Sequence, residues 1–283
     1  MTSPRTDPPA PRPAPPPAPL AAELGPLAIE RLAAADPTDG RPGLLFCTGY
    51  HSSMNGTKAL RLEAFARARG LGCTRFDYRG HGASEGDART LGVGHWLADL
   101  LAVLDATPGP LVLVGSSMGA WLATLAARAR PGRVAGLLTL AAAPDFTERR
   151  VRAALGEAGE AALAKGLLLH RPSADPATRW PIPPVLLESG REHLVLDGAH
   201  WRLDAPAALV HGTADEDAPW ALSLELMERR LSPGTELTLV AGAGHRLSDE
   251  ASLAVVERAL EALLGRVQTR GESSGGQSSP SNR

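Results

Sequence analysis

The chain of 283 residues carries 29 basic against 31 acidic side chains and is 43% hydrophobic. So near-neutral a balance gives no electrostatic footprint for nucleic acid, and no apolar run reaches the ~18 residues a membrane-spanning helix needs. Stable membrane insertion is therefore not expected, and the composition is that of a globular domain with a sizeable core.

The first twenty residues hold nine prolines. With no apolar segment among them they read as an extended, solvated arm rather than a secretory signal. A disordered tail is expected over 1–22, one α/β domain over 23–266, and a second disordered tail over 267–283. Within the domain, apolar runs and helical patterns alternate. Residues 44–48 read as a buried strand. Residues 58–69 read as a helix burying Leu62, Phe65 and Ala66, and 74–77 as a second strand. Residues 95–105 form a helix with Leu97, Leu100, Leu101 and Leu104 at i, i+3, i+4 and i+7. Strands follow at 111–114, 134–140, 207–210 and 237–240, with a helix opening at Ser117. A last helix over 249–264 turns Leu253, Val256, Leu260 and Leu263 inward. Strands that are continuously apolar rather than alternating indicate a mostly parallel sheet covered on both faces. From about 144 to 203 no strand is expected. Helix formers run over 148–169, a Pro-rich linker over 171–184 and a short helix over 185–193. An insertion of that kind is expected to be a cap over a site. Cys47 and Cys73 lie in separate strand-like runs without metal-type spacing, so buried thiols and a reducing, cytoplasmic location are expected, a disulfide between neighbouring strands being the alternative.

The spacing G-x-S-x-G occurs three times, at Gly82-Ala-Ser84-Glu-Gly86, Gly115-Ser-Ser117-Met-Gly119 and Gly271-Glu-Ser273-Ser-Gly275. Ser273 lies in a polar, Gly-rich tail, and Ser84 in a loop with no helix directly behind it. Ser117 alone follows a strand and opens a helix, the context of a nucleophile elbow. A serine needs a base, and the base an orienting acid. In this chain order the acid is Asp215, in the loop past the strand at 207–210, and the base is His245, after the last strand. Asp217 is the rival acid. His211 reads as a structural residue at a strand end, and the six other histidines have no spacing argument. The oxyanion hole would combine the backbone N–H of Met118 with that of Tyr50, in the loop after the first strong strand.

Taken together, Gly49-Tyr50, Asp77-Tyr-Arg-Gly-His-Gly-Ala-Ser84, Gly115-Ser-Ser-Met-Gly119, His211-Gly-Thr-Ala-Asp215 and Gly244-His245 resemble the α/β-hydrolase superfamily over about residues 43–266. The segments Gly49-Tyr-His-Ser-Ser-Met-Asn-Gly-Thr-Lys-Ala59, Arg75-Phe-Asp-Tyr78, Gly115-Ser-Ser-Met-Gly-Ala-Trp121 and Ala218-Pro-Trp220 are similar to its palmitoyl-protein thioesterase branch. Animal members of that branch are mitochondrial and also cleave acyl glucuronides. Here the amino-terminal segment does not resemble a transit peptide. The resemblance implies an α/β-hydrolase fold with a small helical cap, and Ser117, Asp215 and His245 as nucleophile, acid and base.

The resulting expectation is a serine hydrolase that cleaves acyl esters or thioesters through an acyl-enzyme, with no cofactor and no metal. A small-molecule carboxylesterase or lactonase is the alternative, and a non-catalytic binding protein on the same scaffold the second. Trp180, Trp201, Trp220 and Leu167-Leu-Leu169 are candidates for an apolar acyl pocket or for core packing. Neither the oligomeric state nor the acyl group follows from the sequence.

Overall fold

A computed structural model describes residues 27–170, 180–197 and 200–275. The Pro-rich arm and most of the Pro-rich linker expected from the sequence lie outside these residues. Strands β1 (Ile29–Leu32), β2 (Gly43–Cys47), β3 (Cys73–Phe76), β4 (Leu111–Ser116), β5 (Val134–Leu140), β8 (Ala207–Gly212) and β9 (Glu236–Val240) form a seven-stranded sheet in the order β1-β3-β2-β4-β5-β8-β9. All neighbours run parallel except β1 with β3. β1 was not expected. Its Ile-Glu-Arg-Leu is too short and too polar at its centre to register as a strand, and it holds only an edge.

Alternation along β4 shows how the sheet divides the core. Leu111 and Leu113 face a cluster containing Trp96, Leu100, Trp121 and Leu122, from α2 (Val93–Ala106) and α3 (Met118–Ala129). Val112 and Val114 face Leu62 and Phe65 of α1 (Thr57–Ala68), and Val256, Leu260 and Leu263 of α7 (Glu250–Gly275). Both faces are thus covered, which is why these strands read as continuous apolar runs. The inward face of α2 centres on Trp96, Leu100, Val103 and Leu104, with Leu97 and Leu101 half-buried at its flank. Cys73 sits opposite Leu44 and belongs to the α1/α7 side, whereas Cys47 sits opposite Gly115 on the other side, and both are free thiols. Opposite faces of the sheet exclude a disulfide between them.

The helix α7 runs to Gly275, past residue 266 where the sequence suggested that order ends. Val267 packs on the core, Arg266 reaches the carbonyl of Ala207, and Arg270 pairs with Asp204. These contacts outweigh the polar composition that marks the segment as a tail. Ser273 is consequently on a helix, not at a strand-to-helix turn.

The insertion between β5 and β8 holds a π-helical turn (Thr147–Arg152), α4 (Ala153–Ala164), a two-residue hairpin of β6 (Leu169–His170) with β7 (Pro181–Ile182), and α5 (Pro184–Glu192). The absence of strands expected over 144–203 is thus corrected, because a two-residue pairing has no periodicity to detect. Gly156, at φ 60°, breaks the helical course of α4. Buried Asp145 closes the insertion at its base, accepting the N–H of Val195 and of Leu196 at 2.7 Å each. One carboxylate therefore ties the entry of the insertion to its exit.

Chain direction positions the site. From β2 the chain moves through α1 to β3 on one side, and from β4 through α3 to β5 on the other. The loops leaving β2 and β4 diverge, and a crevice opens between them at the carboxyl ends of the strands. The loop after β3 is clamped to α2 by a buried ion pair, in which Asp99 accepts Arg79 Nε–H at 2.7 Å and the Arg79 backbone N–H at 3.0 Å. Asp99→Ala would strand the Arg79 charge. We expect a loss of about 3–5 kcal/mol, read as a lower urea midpoint at an unchanged slope.

Candidate active site

Ser117 stands between β4 and α3 with φ 56° and ψ −118°. A side chain held at positive φ costs on the order of 1–3 kcal/mol and persists only where the surroundings demand it. Here they do. A Cβ at Gly115 would lie 2.5 Å from the Gly119 carbonyl oxygen, and one at Gly119 would lie 2.1 Å from that of Cys47. Only glycines let the turn fold so tightly while α3 presses against the end of β2. The hydroxyl is left at the amino terminus of α3, where the helix dipole favours developing negative charge.

Two loops bring the remaining groups. The Ser117 hydroxyl donates to His245 Nε2 at 2.9 Å, and His245 Nδ1 donates to Asp215 Oδ2 at 2.7 Å. The loops of Asp215 and His245 are joined to each other: Thr213 N–H donates to Val240 O and Ala214 N–H to Ala243 O, both at 3.0 Å. Gly212 permits this approach, since a Cβ there would sit 2.2 Å from the Ala243 oxygen. Asp217, the rival acid, donates its backbone N–H to Asp215 Oδ1 at 2.9 Å, as does Ala218. Burial works against the charge on Asp215. Hydrogen bonds from His211 and His245 outweigh it and hold the carboxyl well below the usual range.

The loop after β2 comes against the serine, with the Cβ position of Gly49 at 3.3 Å from Ser117 Cβ. Neither the Tyr50 N–H nor the Met118 N–H donates to an acceptor among the described residues, so both amides are available beside the nucleophile. This loop is braced from β3: Asp77 accepts Met54 N–H at 2.6 Å and Ala83 N–H at 2.9 Å. Its other support is the insertion between β5 and β8. The Tyr50 hydroxyl donates to Pro181 O at 2.5 Å, and the His51 ring stacks on Trp180 with centroids 5.9 Å apart.

The cavity over Ser117 has a volume of about 480 Å³. Thr48, Ser52, Thr57, Lys58, Trp180 and Arg246 are among the residues that line it. A larger depression, about 710 Å³ around Pro110, Pro131 and Pro206, is lined by no serine, histidine or cysteine among the described residues. Of the two, the smaller one holds Ser117 and His245. Of the candidate acyl-pocket residues only Trp180 lines this cavity. Trp201 packs under Arg128 and Arg230, and Trp220, Leu167 and Leu168 are exposed. Lys58 and Arg246 were not singled out from the sequence. Burial depresses the Lys58 ammonium to about 8, with Arg246 adding to the effect and Asp215 opposing it. The Lys58 ammonium donates to the Arg246 carbonyl and so ties α1 to the His245 loop.

Residues 42–259 match the Alpha/beta hydrolase family. The chain belongs to that family. Among curated relatives, the mitochondrial palmitoyl-protein thioesterase ABHD10 of Rattus norvegicus is 33% identical over 248 residues, 87% of this chain and 82% of its own. The Homo sapiens protein of the same name is 32% identical over 240 residues, 81% of this chain and 74% of its own. Among solved structures, a putative hydrolase from Agrobacterium vitis S4 superposes with a TM-score of 0.80 at 34% identity, covering 85% of this chain and 96% of that one. Mouse alpha/beta hydrolase domain-containing protein 10 gives 0.79 at 33%, covering 87% and 96%. The α/β-hydrolase fold expected from the motifs is therefore the fold found, and the chain is a hydrolase by family.

The competing serine has a structural task. Ser84 Oγ donates to Asp77 O at 2.6 Å and accepts Ala28 N–H at 2.8 Å. Ser84→Ala should cost about 1–3 kcal/mol yet leave labelling by a fluorophosphonate unchanged, while Ser117→Ala abolishes labelling at full stability. Loss of labelling in Ser84→Ala alone would reverse the assignment.

Proposed function

We propose that this protein hydrolyses acyl esters or thioesters through an acyl-enzyme on Ser117. The observation that carries the reading is the unbroken series from Ser117 to His245 to Asp215, at 2.9 and 2.7 Å, in the crevice where the strand order diverges. Ser117 Oγ attacks the carbonyl carbon as His245 Nε2 takes its proton. Asp215 keeps the Nδ1–H tautomer and opposes the imidazolium charge. The tetrahedral oxyanion receives the N–H groups of Tyr50 and Met118, each such donor being worth about 10²–10³-fold in rate. Collapse expels the alcohol or thiol, which leaves with the proton from His245. Water, deprotonated by the same imidazole, then releases the acid and restores the serine.

The names of the curated relatives support a thioester as substrate. A second reading, a small-molecule carboxylesterase or lactonase, is favoured by the cavity wall. Thr48, Ser52, Ser53, Thr57, Lys58 and Arg246 outnumber its apolar side chains near the nucleophile and suit a compact polar substrate. Two buried free thiols, Cys47 and Cys73, support a reducing compartment such as the cytoplasm. Among the described residues no helix is long and apolar enough to cross a membrane.

Matched esters and thioesters of two to sixteen carbons separate the readings by chain-length preference. On the preferred substrate, Ser117→Ala is expected to lower kcat by ~10⁴–10⁶-fold. Asp215→Asn is expected to cost ~10⁴-fold and Asp217→Asn far less. A larger loss in Asp217→Asn would exchange the acids. A folded wild type that takes no fluorophosphonate would instead favour a binding protein.

A further inference from the structure

Beyond the three residues of the proposed reaction, one more imidazole touches them. His211 ends β8 with its ring fully buried. Its Nε2 lies 3.0 Å from Asp215 Oδ2 and 2.9 Å from the Ala218 carbonyl oxygen. Both of those atoms accept and cannot donate, so Nε2 carries the hydrogen. Its Nδ1 lies 2.7 Å from Ser223 Oγ, a buried hydroxyl on α6 (Ala221–Arg230) that can donate. The surroundings thus match one neutral tautomer, Nε2–H with Nδ1 as acceptor.

The count of bonds on Asp215 shows what this does. Its Oδ1 accepts two backbone N–H groups, and its Oδ2 accepts two imidazole N–H groups, one from His245 and one from His211. A carboxylate offers about four lone-pair sites, and all are taken. The group cannot rotate without breaking a hydrogen bond in a place water does not reach. We propose that His211 is a positioning residue for hydrolysis: its Nε2–H pins Asp215 Oδ2, and through it aims His245 at Ser117. Ser223 acts one bond further out by keeping the His211 tautomer. This inference rests on the reading of Ser117, His245 and Asp215 given above.

Removing the His211 donor leaves Oδ2 with one partner. Its negative charge is then less dispersed and bears more strongly on the His245 imidazole. Other charged or titratable groups facing His245 are Lys58 of α1, Arg246 of its own loop, Asp217 of the acid loop and His51 of the loop after β2. None of these is altered in the variants below.

The test uses the full chain as wild type, His211→Ala, His211→Gln and Ser223→Ala. A fluorophosphonate titrates active sites, an activated short-chain ester gives kcat and KM against pH, and Tm is recorded. In His211→Ala, kcat per titrated site should fall about 10- to 100-fold at a nearly unchanged KM, and the acidic limb of kcat/KM should move up by about half a pH unit or more. His211→Gln, whose amide N–H can replace the donor, should regain most of the rate and the wild-type limb. Ser223→Ala should shift both in the same direction by less, and it keeps the proposal testable should His211→Ala fail to fold. If the variants lose only Tm or titratable sites, with kcat per site and the limb as in wild type, His211 is merely structural and the proposal is overturned. The same holds if Gln falls as far as Ala. A wild type that is not labelled at all sinks the Ser117 reading instead, so the two failures are distinct.

Discussion

The carbonyl oxygens of Cys47 and Thr48 come so close to α3 that a Cβ on Gly119 would stand 2.1 and 2.4 Å from them. This contact between the end of β2 and the start of α3 sets the geometry of the whole catalytic end. It brings the loop of Tyr50 against Ser117 and forces the strained turn that lifts the hydroxyl clear of the sheet. Among the described residues the N–H groups of Tyr50 and Met118 have no acceptor. The strain is sustained by burial on both sides of the turn, since β4 before it and every residue from Met118 to Ala127 after it are buried.

Around that contact the molecule separates rigidity from supply. Ser117 stands at the turn that ends the central strand, and Asp215 and His245 stand on loops that are hydrogen-bonded to each other. Misplacement of one loop is therefore resisted by the other. Burial works against the charge of the Asp215 carboxylate, and hydrogen bonds from His211 and His245 hold it ionised. Lys58 of α1 and Arg246 of the His245 loop add two basic side chains to the wall of the cavity over Ser117.

Much of this was legible in the residues. Strand β4 and the small side chains of α3 mark the elbow because a central, doubly covered strand must be apolar and a helix pressed on it must be slim. The positions of Asp215 and His245 past two further strands follow from chain order. Other parts were hidden for identifiable reasons. The strand β1 is short and polar at its centre, and the β6–β7 hairpin pairs only two residues. Ser84 carries the same spacing as Ser117, and only its bonds to Asp77 and Ala28 show it to be a brace. The contact of His211 with Asp215 could not be read from sequence, because the turn that leaves β8 between them fixes no distance in the sequence. Lys58 reads as the start of an amphipathic helix, and its place in the cavity depends on where the last loop of the sheet turns.

The insertion between β5 and β8, expected to act as a cap, is joined to the loop after β2: the Tyr50 hydroxyl is bonded to Pro181 O, and the His51 ring lies on Trp180. An exchange of caps between relatives, made to transplant substrate preference, would therefore not be a neutral graft. The incoming cap would have to bring an acceptor for a buried phenol and a flat partner for an imidazole, or the host would be left with a loosened amide at its reaction centre. Under the proposed function, selectivity and rate would be coupled through these two contacts and would drift together rather than separately.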